Sequence, residues 1–367
     1  MKVIVSGGGT AGHVYPALSI VNKLKEHHPD AQFLYIGTKS GLEAEIVKQA
    51  GIPFEAIQVS GLKRKISMDN IKTLWQFITA IRHSKRLIKR FKPEIVIGTG
   101  GYVSGPVVYA ASKLGIPTLI HEQNVVPGLA NLFLSRYVSA VAVSFEESKG
   151  QFRHPNIIVT GNPRASEVVR RDGKKVREEL GLAADQKLVL IVGGSRGAEA
   201  INQAFLQMAD KIKERPDCHF LFITGHNHFD RINKQLEPII SQSRNLTVKP
   251  FIYNMPDVLA ATDLIVNRAG ASFLAELTAL GIPSILVPSP YVTNNHQEKN
   301  ARWLEKEGAS YVILEKDLSG SRLWETIIKI IDNPSLRVTM NKASLRLGKP
   351  DAQEQLYRLI LNLIERS

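Results

Sequence analysis

Gly7, Gly9 and Gly12 stand in the spacing G-x-G-x-x-G behind the apolar run Val3-Ile4-Val5, and His13 follows at once. Glycines at that spacing let a backbone come close to a phosphate, and the helix N-terminus behind them attracts an anion. His13 falls in the first turn of that helix, where partial positive charge gathers, and this suits a general base that begins the reaction neutral. A capping or packing histidine is the alternative. A nicotinamide enzyme would also carry an acid at the end of its second strand for the ribose. Here that strand ends in Gly37-Thr38-Lys39, which speaks against a dinucleotide site. No glycine-rich loop ends in Gly-Lys-Ser/Thr, so a Walker A phosphate cradle is ruled out as well.

Four further clusters could do chemistry. Gly193-Gly194-Ser195-Arg196-Gly197 offers backbone amides, a hydroxyl and a guanidinium in one turn, a good set for phosphate. Asn267 to Glu276 reads as a small-residue turn leading into a helix, with room for a diphosphate at Ala271; Glu276 lies over a turn further on, where it could bridge two ribose hydroxyls. Asn294-Asn295-His296-Gln297 carries carboxamides that both donate and accept, which suits sugar hydroxyls; N-capping of the next helix is the competing role. His121-Glu122-Gln123-Asn124 is a polar run at a strand end, where ligand crevices of parallel sheets lie. The chain has neither Asp-x-Asp nor His-Glu-x-x-His, and Cys218 is its one cysteine, so no metal site and no disulfide within the chain is expected.

These clusters need parallel sheets to position them. Short β-branched runs end in glycine and precede helical periodicity at Val3-Ile4-Val5, Phe33-Leu34-Tyr35-Ile36 and Ile95-Val96-Ile97. Gly-Ile-Pro occurs at 51–53, 115–117 and 281–283, each time after a helical stretch and before an apolar run. That is one helix-to-strand connection used three times. The strand–glycine–helix opening at the N-terminus restarts at Lys187, about half a chain later. The 367 residues therefore read as two doubly wound α/β domains, with boundaries near 1–163 and 164–344 and a last segment from about 345 to 367.

Charge is unevenly spread. Lys+Arg exceed Asp+Glu by 47 to 34, and residues 61–93 alone hold ten basic residues against the single acid Asp69. Lys63, Arg64, Lys65, Lys85 and Arg86 flank an apolar stretch containing Leu74, Trp75, Phe77 and Ile78, a pattern that suits an anionic membrane surface. An ordinary sheet-packing helix with a solvated basic face is the alternative. No aromatics interleave with the basic face, so nucleic acid is not expected as a partner. No apolar run approaches the ~18 residues of a membrane span. The opening Met1 to Ser6 is broken by glycine too soon for a secretory signal, so a cytoplasmic or cytoplasm-facing location is expected.

The ordered set Gly7 to His13, Gly98-Thr99-Gly100-Gly101-Tyr102-Val103-Ser104-Gly105-Pro106, His121 to Asn124, Gly161-Asn162-Pro163-Arg164, Gly193 to Ala198, Arg268 to Glu276 and His296-Gln297 resembles the MurG family across nearly the whole chain. The resemblance implies a GT-B fold, two Rossmann-like domains facing across a cleft, with the last helix crossing back to the N-terminal domain. It implies inverting transfer of GlcNAc from UDP-GlcNAc, a substrate rather than a cofactor, to the MurNAc C4 hydroxyl of lipid I. The expected location is the cytoplasmic face of the bacterial plasma membrane. By position it implies that Thr10, Ala11, Gly12 and Asn124 contact donor sugar or acceptor, and that Arg164 and Ser195 contact the diphosphate. Ile252 would meet uracil through its backbone, Ala271 to Glu276 would hold diphosphate and ribose, and Gln297 a GlcNAc hydroxyl. His13 matches the family's proposed base, with Glu122 an alternative. His296 stands where some relatives have glutamine, and Ala11 where others have glycine. A GT-B enzyme with another lipid acceptor such as diacylglycerol, an epimerase of similar architecture and a non-catalytic nucleotide-sugar sensor are the rival readings.

Overall fold

The computed structural model describes residues 1–60, 68–194 and 197–366, with the side chains of residues 68–72 and 74 outside the description. Seven strands form a first sheet: β1 (Lys2–Gly7), β2 (Gln32–Gly37), β3 (Phe54–Ala56), β4 (Ile95–Gly100), β5 (Thr118–Glu122), β6 (Ala140–Val143) and β7 (Ile157–Val159). Six form a second: β8 (Lys187–Val192), β9 (Cys218–Ile223), β10 (Leu246–Lys249), β11 (Leu264–Asn267), β12 (Ser284–Leu286) and β13 (Ser310–Val312). The orders are β3-β2-β1-β4-β5-β6-β7 and β10-β9-β8-β11-β12-β13, and the described pairings are all parallel. Both are Rossmann orders, and two such sheets flanked by helices constitute the GT-B arrangement.

The first sheet is covered on both faces by α1 (Ala11–His27), α2 (Leu42–Gln49), α3 (Met68–Phe91), α4 (Ser104–Ser112) and α5 (Leu129–Leu134), together with the final helix Ala352–Glu365. Alternation along β1 divides the core: Val3 and Val5 join Val14, Ala17 and Val21 of α1, while Ile4 joins Ile88 of α3 and Val107 of α4. Gly51, Gly115 and Gly281 of the Gly-Ile-Pro triplets all have positive φ, at 66°, 73° and 72°, as helix-closing residues do.

One compact unit comprises Met1–Arg164 with Pro350–Ser367, and the other Ala165–Lys349. The division thus falls after Arg164 rather than Pro163. The chain returns at Pro350 rather than near 345, because the helix Pro334–Leu347 still packs on Ala271–Leu280 of the second unit. The final helix docks on α1 through Leu356 and Ile360, a Gln353–Ser19 hydrogen bond of 2.8 Å and a Lys23–Glu354 ion pair of 3.2 Å. Cys218 is buried at the start of β9, and burial first, then Asp217 beside it, pushes its thiol up to about 12. It is a packed apolar residue, not a nucleophile.

Candidate active site

In the first sheet the strand order reverses between β1 and β4, and both strands end there in glycine turns. Thr10, Ala11, Gly12 and His13 open α1 at this switch point. Pro16 lies inside α1 and has no N–H, so the Gly12 carbonyl lacks its usual partner one turn on and is left to accept from elsewhere. His13 is half-buried, and its Nδ1 lies 3.0 Å from Gln123 Oε1 just beyond β5. The Thr99 hydroxyl donates to the His13 carbonyl at 2.8 Å. Gly100 has a φ of 105°, and a Cβ there would come within 2.8 Å of His13 Nδ1, so only glycine lets the ring lie against β4.

Glu122, the alternative base, is 1% exposed. One carboxylate oxygen accepts from the Asn124 N–H at 2.9 Å and from its side-chain amide at 3.3 Å; the other accepts from the Gly128 N–H at 3.0 Å and Asn131 Nδ2 at 2.9 Å. The carboxylate thereby holds the loop from Asn124 to Asn131, and its lone pairs are taken by that loop. Asn124, held by that carboxylate, is the residue that follows Gln123.

The glycine turn after β1 holds an anion of the protein's own. Glu43, at the start of α2 and fully buried, accepts from the Gly9 N–H at 3.1 Å, the Thr38 N–H at 3.0 Å and the Thr38 hydroxyl at 2.6 Å. The buried Tyr35 hydroxyl donates to the Gly7 carbonyl at 2.7 Å. Burial works to raise the Glu43 value, but the hydrogen bonds from Thr38 and Gly9 outweigh it and hold the carboxyl below the usual range. An internal carboxylate thus takes the Gly9 amide of this turn and the Gly8 N–H donates to the Gly100 carbonyl at 3.3 Å, so the backbone donors still in question lie at the start of α1. A lowered folded-state value means that the stabilisation is complete above the unfolded glutamate value of about 4.3. It disappears as pH falls through the lower folded-state value. Glu43→Gln should cost about 1–3 kcal/mol at neutral pH. In urea melts the gap from the wild type should close in strong acid; a gap independent of pH would remove the charge from the explanation.

Arg164 closes the first unit rather than opening the second, its guanidinium lying 5.6 Å over the Tyr15 ring of α1. In the second unit, Gly193, Gly194 and Gly197 follow β8, whereas Ser195, with Arg196, lies outside the described residues. Ala271 opens the helix Ala271–Leu280 behind β11, and Glu276 is buried in its second turn. Arg268 ahead of it pairs with Glu315 at 2.6 Å. Ile252 is buried after β10, and Phe251 beside it stacks on His226, with ring centres 5.5 Å apart. Gln297 Oε1 accepts from the Ser289 N–H at 2.9 Å, which ties the helix His296–Lys306 to the β12 loop. His296 Nδ1 donates to the Thr293 carbonyl at 2.8 Å. The N-capping role does not hold: Asn295 is left-handed, with φ 50°, and its side chain caps nothing.

On α3 the sequence's single apolar face divides. Thr73, Ala80, Ser84, Leu87 and Ile88 turn inward, and Phe77 is half-buried, packing edge-on against Phe133 of α5 at 6.1 Å. Trp75 is 66% exposed and lies, with Ile78, on the outer stripe that continues into Arg82, Arg86 and Lys89. Lys85 is half-buried. Lys63, Arg64 and Lys65 lie outside the described residues, as does the Leu74 side chain. Sequence reasoning missed α5, where Leu129 is 71% exposed and Phe133 is also exposed, as is Tyr137 just beyond it. Among the described residues no helix is long and apolar enough to cross a membrane, and no group of three His, Cys, Asp or Glu residues could hold a metal ion.

Two Rossmann-like units, each a doubly wound parallel sheet flanked by helices, define the GT-B class of fold. The chain belongs to glycosyltransferase family 28: the family's N-terminal domain matches residues 3–143 and its C-terminal domain residues 188–356. It is 52% identical over 368 residues, all of both chains, to the UDP-N-acetylglucosamine--N-acetylmuramyl-(pentapeptide) pyrophosphoryl-undecaprenol N-acetylglucosamine transferase of Bacillus cytotoxicus. The protein of the same name in Bacillus licheniformis is 52% identical over 363 residues, 99% of each chain. Among solved structures, MurG of Acinetobacter baumannii superposes with a TM-score of 0.80 at 29% identity, covering 98% of this chain and 99% of that one. A putative UDP-N-acetylglucosamine 2-epimerase from Listeria monocytogenes shares the fold, with a TM-score of 0.72 at 14% identity, covering 100% and 97%.

Proposed function

We propose that the chain is an inverting transferase that moves GlcNAc from UDP-GlcNAc to the MurNAc C4 hydroxyl of lipid I, giving lipid II. The full-length 52% identity to transferases whose name states that donor and acceptor carries the reading. The chemistry asks for a base at the acceptor hydroxyl and for stabilisation of the departing diphosphate. His13 Nε2 takes the hydroxyl proton. The C4 oxygen attacks the anomeric carbon from the face opposite the phosphate, and the C1–O bond breaks with its electron pair leaving on UDP.

Thr10, Ala11, Gly12 and Asn124 contact the donor sugar or the acceptor around that base. Arg164, Ser195 and the helix N-terminus at Ala271 take the diphosphate charge. Ile252 meets the uracil, Glu276 the ribose and Gln297 a sugar hydroxyl through its amide donor end, with His296 beside it. Glu122 positions the Asn124 loop rather than accepting a proton. The protein works on the cytoplasmic face of the membrane, as a peripheral protein that meets an anionic surface through Trp75, Ile78, Leu129 and Phe133, with Arg82, Arg86 and Lys89 beside them.

The test is transfer of labelled sugar from UDP-GlcNAc to a short-chain lipid I analogue, with and without EDTA. Labelled disaccharide lipid in both tubes is expected. Product only without EDTA would overturn the metal-free mechanism. No product in either tube, with UDP-GlcNAc bound, would shift the reading to another acceptor such as diacylglycerol or to a sensor.

A further inference from the structure

We infer that Gln123 is a positioning residue that sets the tautomer of His13, and that a hydrogen-bond chain through His121 to Gly161 sets Gln123 in turn. The inference rests on the proposed role of His13 as base.

Two backbone carbonyls fix the orientation of the Gln123 carboxamide. Gln123 is 2% exposed, and its Nε2 lies 2.9 Å from the Thr99 carbonyl and 3.0 Å from that of His121. Carbonyls only accept, so this end of the carboxamide is the N–H2 end. Oε1 is then the atom 3.0 Å from His13 Nδ1. An amide oxygen only accepts, so the His13 proton sits on Nδ1 and the lone pair on Nε2. His121 Nε2 lies 2.9 Å from the Gly161 carbonyl, which only accepts, so the His121 proton is on Nε2; its bare Nδ1, 2.9 Å from Gln123 Nε2, shares the amide's two N–H groups with the two carbonyls. His121 is fully buried, and burial holds it below the usual histidine value, so it stays a neutral link.

Every donor in the chain has one direction. Gly100 shapes the pocket, since a side chain there would strike the His13 ring. An amide partner, unlike a carboxylate, orients the ring without placing a negative charge beside it. The two strands that supply the chain, β4 and β5, are hydrogen-bonded neighbours, so the geometry is built into the sheet.

The experiment uses the full chain labelled with ¹⁵N-histidine, read by two-bond ¹H–¹⁵N correlation at a pH where the rings are neutral, with the His13 signals assigned by their loss in His13→Ala. The wild type should show Nδ1 protonated and Nε2 bare; the reverse tautomer overturns the inference. Gln123→Met should release the ring toward the Nε2–H form. It should lower kcat by roughly 10–100-fold, the cost typical of losing a partner that orients a working histidine, while KM for UDP-GlcNAc stays within about 3-fold. A folded Gln123→Met with unchanged tautomer and kcat refutes the role. Should that variant not fold, Gln123→Glu tests the same point: in either protonation state its carboxyl presents an accepting oxygen to His13, so the Nδ1–H tautomer should persist, and its loss would count against the inference. A wild-type Nδ1–H tautomer combined with an active His13→Ala would sink the base assignment and leave the placement of the proton by Gln123 standing.

Discussion

His13→Ala should retain UDP-GlcNAc binding and lose turnover by roughly 10²–10⁴-fold, the usual contribution of a general base. At about 1.4 kcal/mol per factor of ten, that is about 3–5 kcal/mol of barrier. The split between binding and turnover follows from the geometry. The ring is held by Gln123 and Gly100 on the first sheet, whereas the proposed uracil and ribose contacts, Ile252 and Glu276, are in the second unit. A steady-state comparison with saturating acceptor, beside calorimetric titration of UDP-GlcNAc, checks both halves. Turnover within a few-fold of the wild type would remove His13 from the mechanism. Lost nucleotide binding would make the residue structural.

The second large effect should fall on membrane binding. Arg82, Arg86 and Lys89 are exposed on one stripe of α3, in line with Trp75 and Ile78. Each basic group near an anionic surface contributes about 1 kcal/mol. Reversing all three to glutamate should therefore weaken partitioning onto vesicles rich in anionic lipid by roughly 10²-fold or more. Because the three side chains are exposed, thermal stability should barely move. Trp75→Ser should weaken binding less and leave its salt dependence intact, since it removes interface insertion and no charge. Sedimentation with vesicles at two ionic strengths separates the terms. Binding unchanged by the triple reversal would assign the basic stripe to ordinary solvation.

What the sequence made legible was local. The strand–glycine–helix openings and the three Gly-Ile-Pro connections need only neighbouring residues, and all three glycines take the left-handed conformation. What stayed hidden depends on contacts across the sheet. Glu43 reaches Gly9 across 34 residues, and Gln123 reaches His13 across 110, so neither role shows in a motif. Glu122 looked like a free acid until the loop from 124 to 131 was seen folded around it. The six residues of α5 are too few to show a helical period, so Leu129 and Phe133 gave no signal of an exposed apolar face. Asn294 and Asn295 read as capping residues by type; their paired left-handed backbone uses the other property of asparagine, its tolerance of positive φ.

The carboxylate of Glu43 also bears on which part of the first glycine turn is open to a ligand. A tethered anion competes with dissolved phosphates at an effective concentration of order millimolar or above, even before any preorganisation by the fold is counted. A fully buried carboxylate already bonded to Gly9 and Thr38 leaves free phosphate no share of those donors. The Gly9 amide is thus held by the protein's own anion, which leaves ligand contacts at this turn to the start of α1, at Thr10, Ala11 and Gly12.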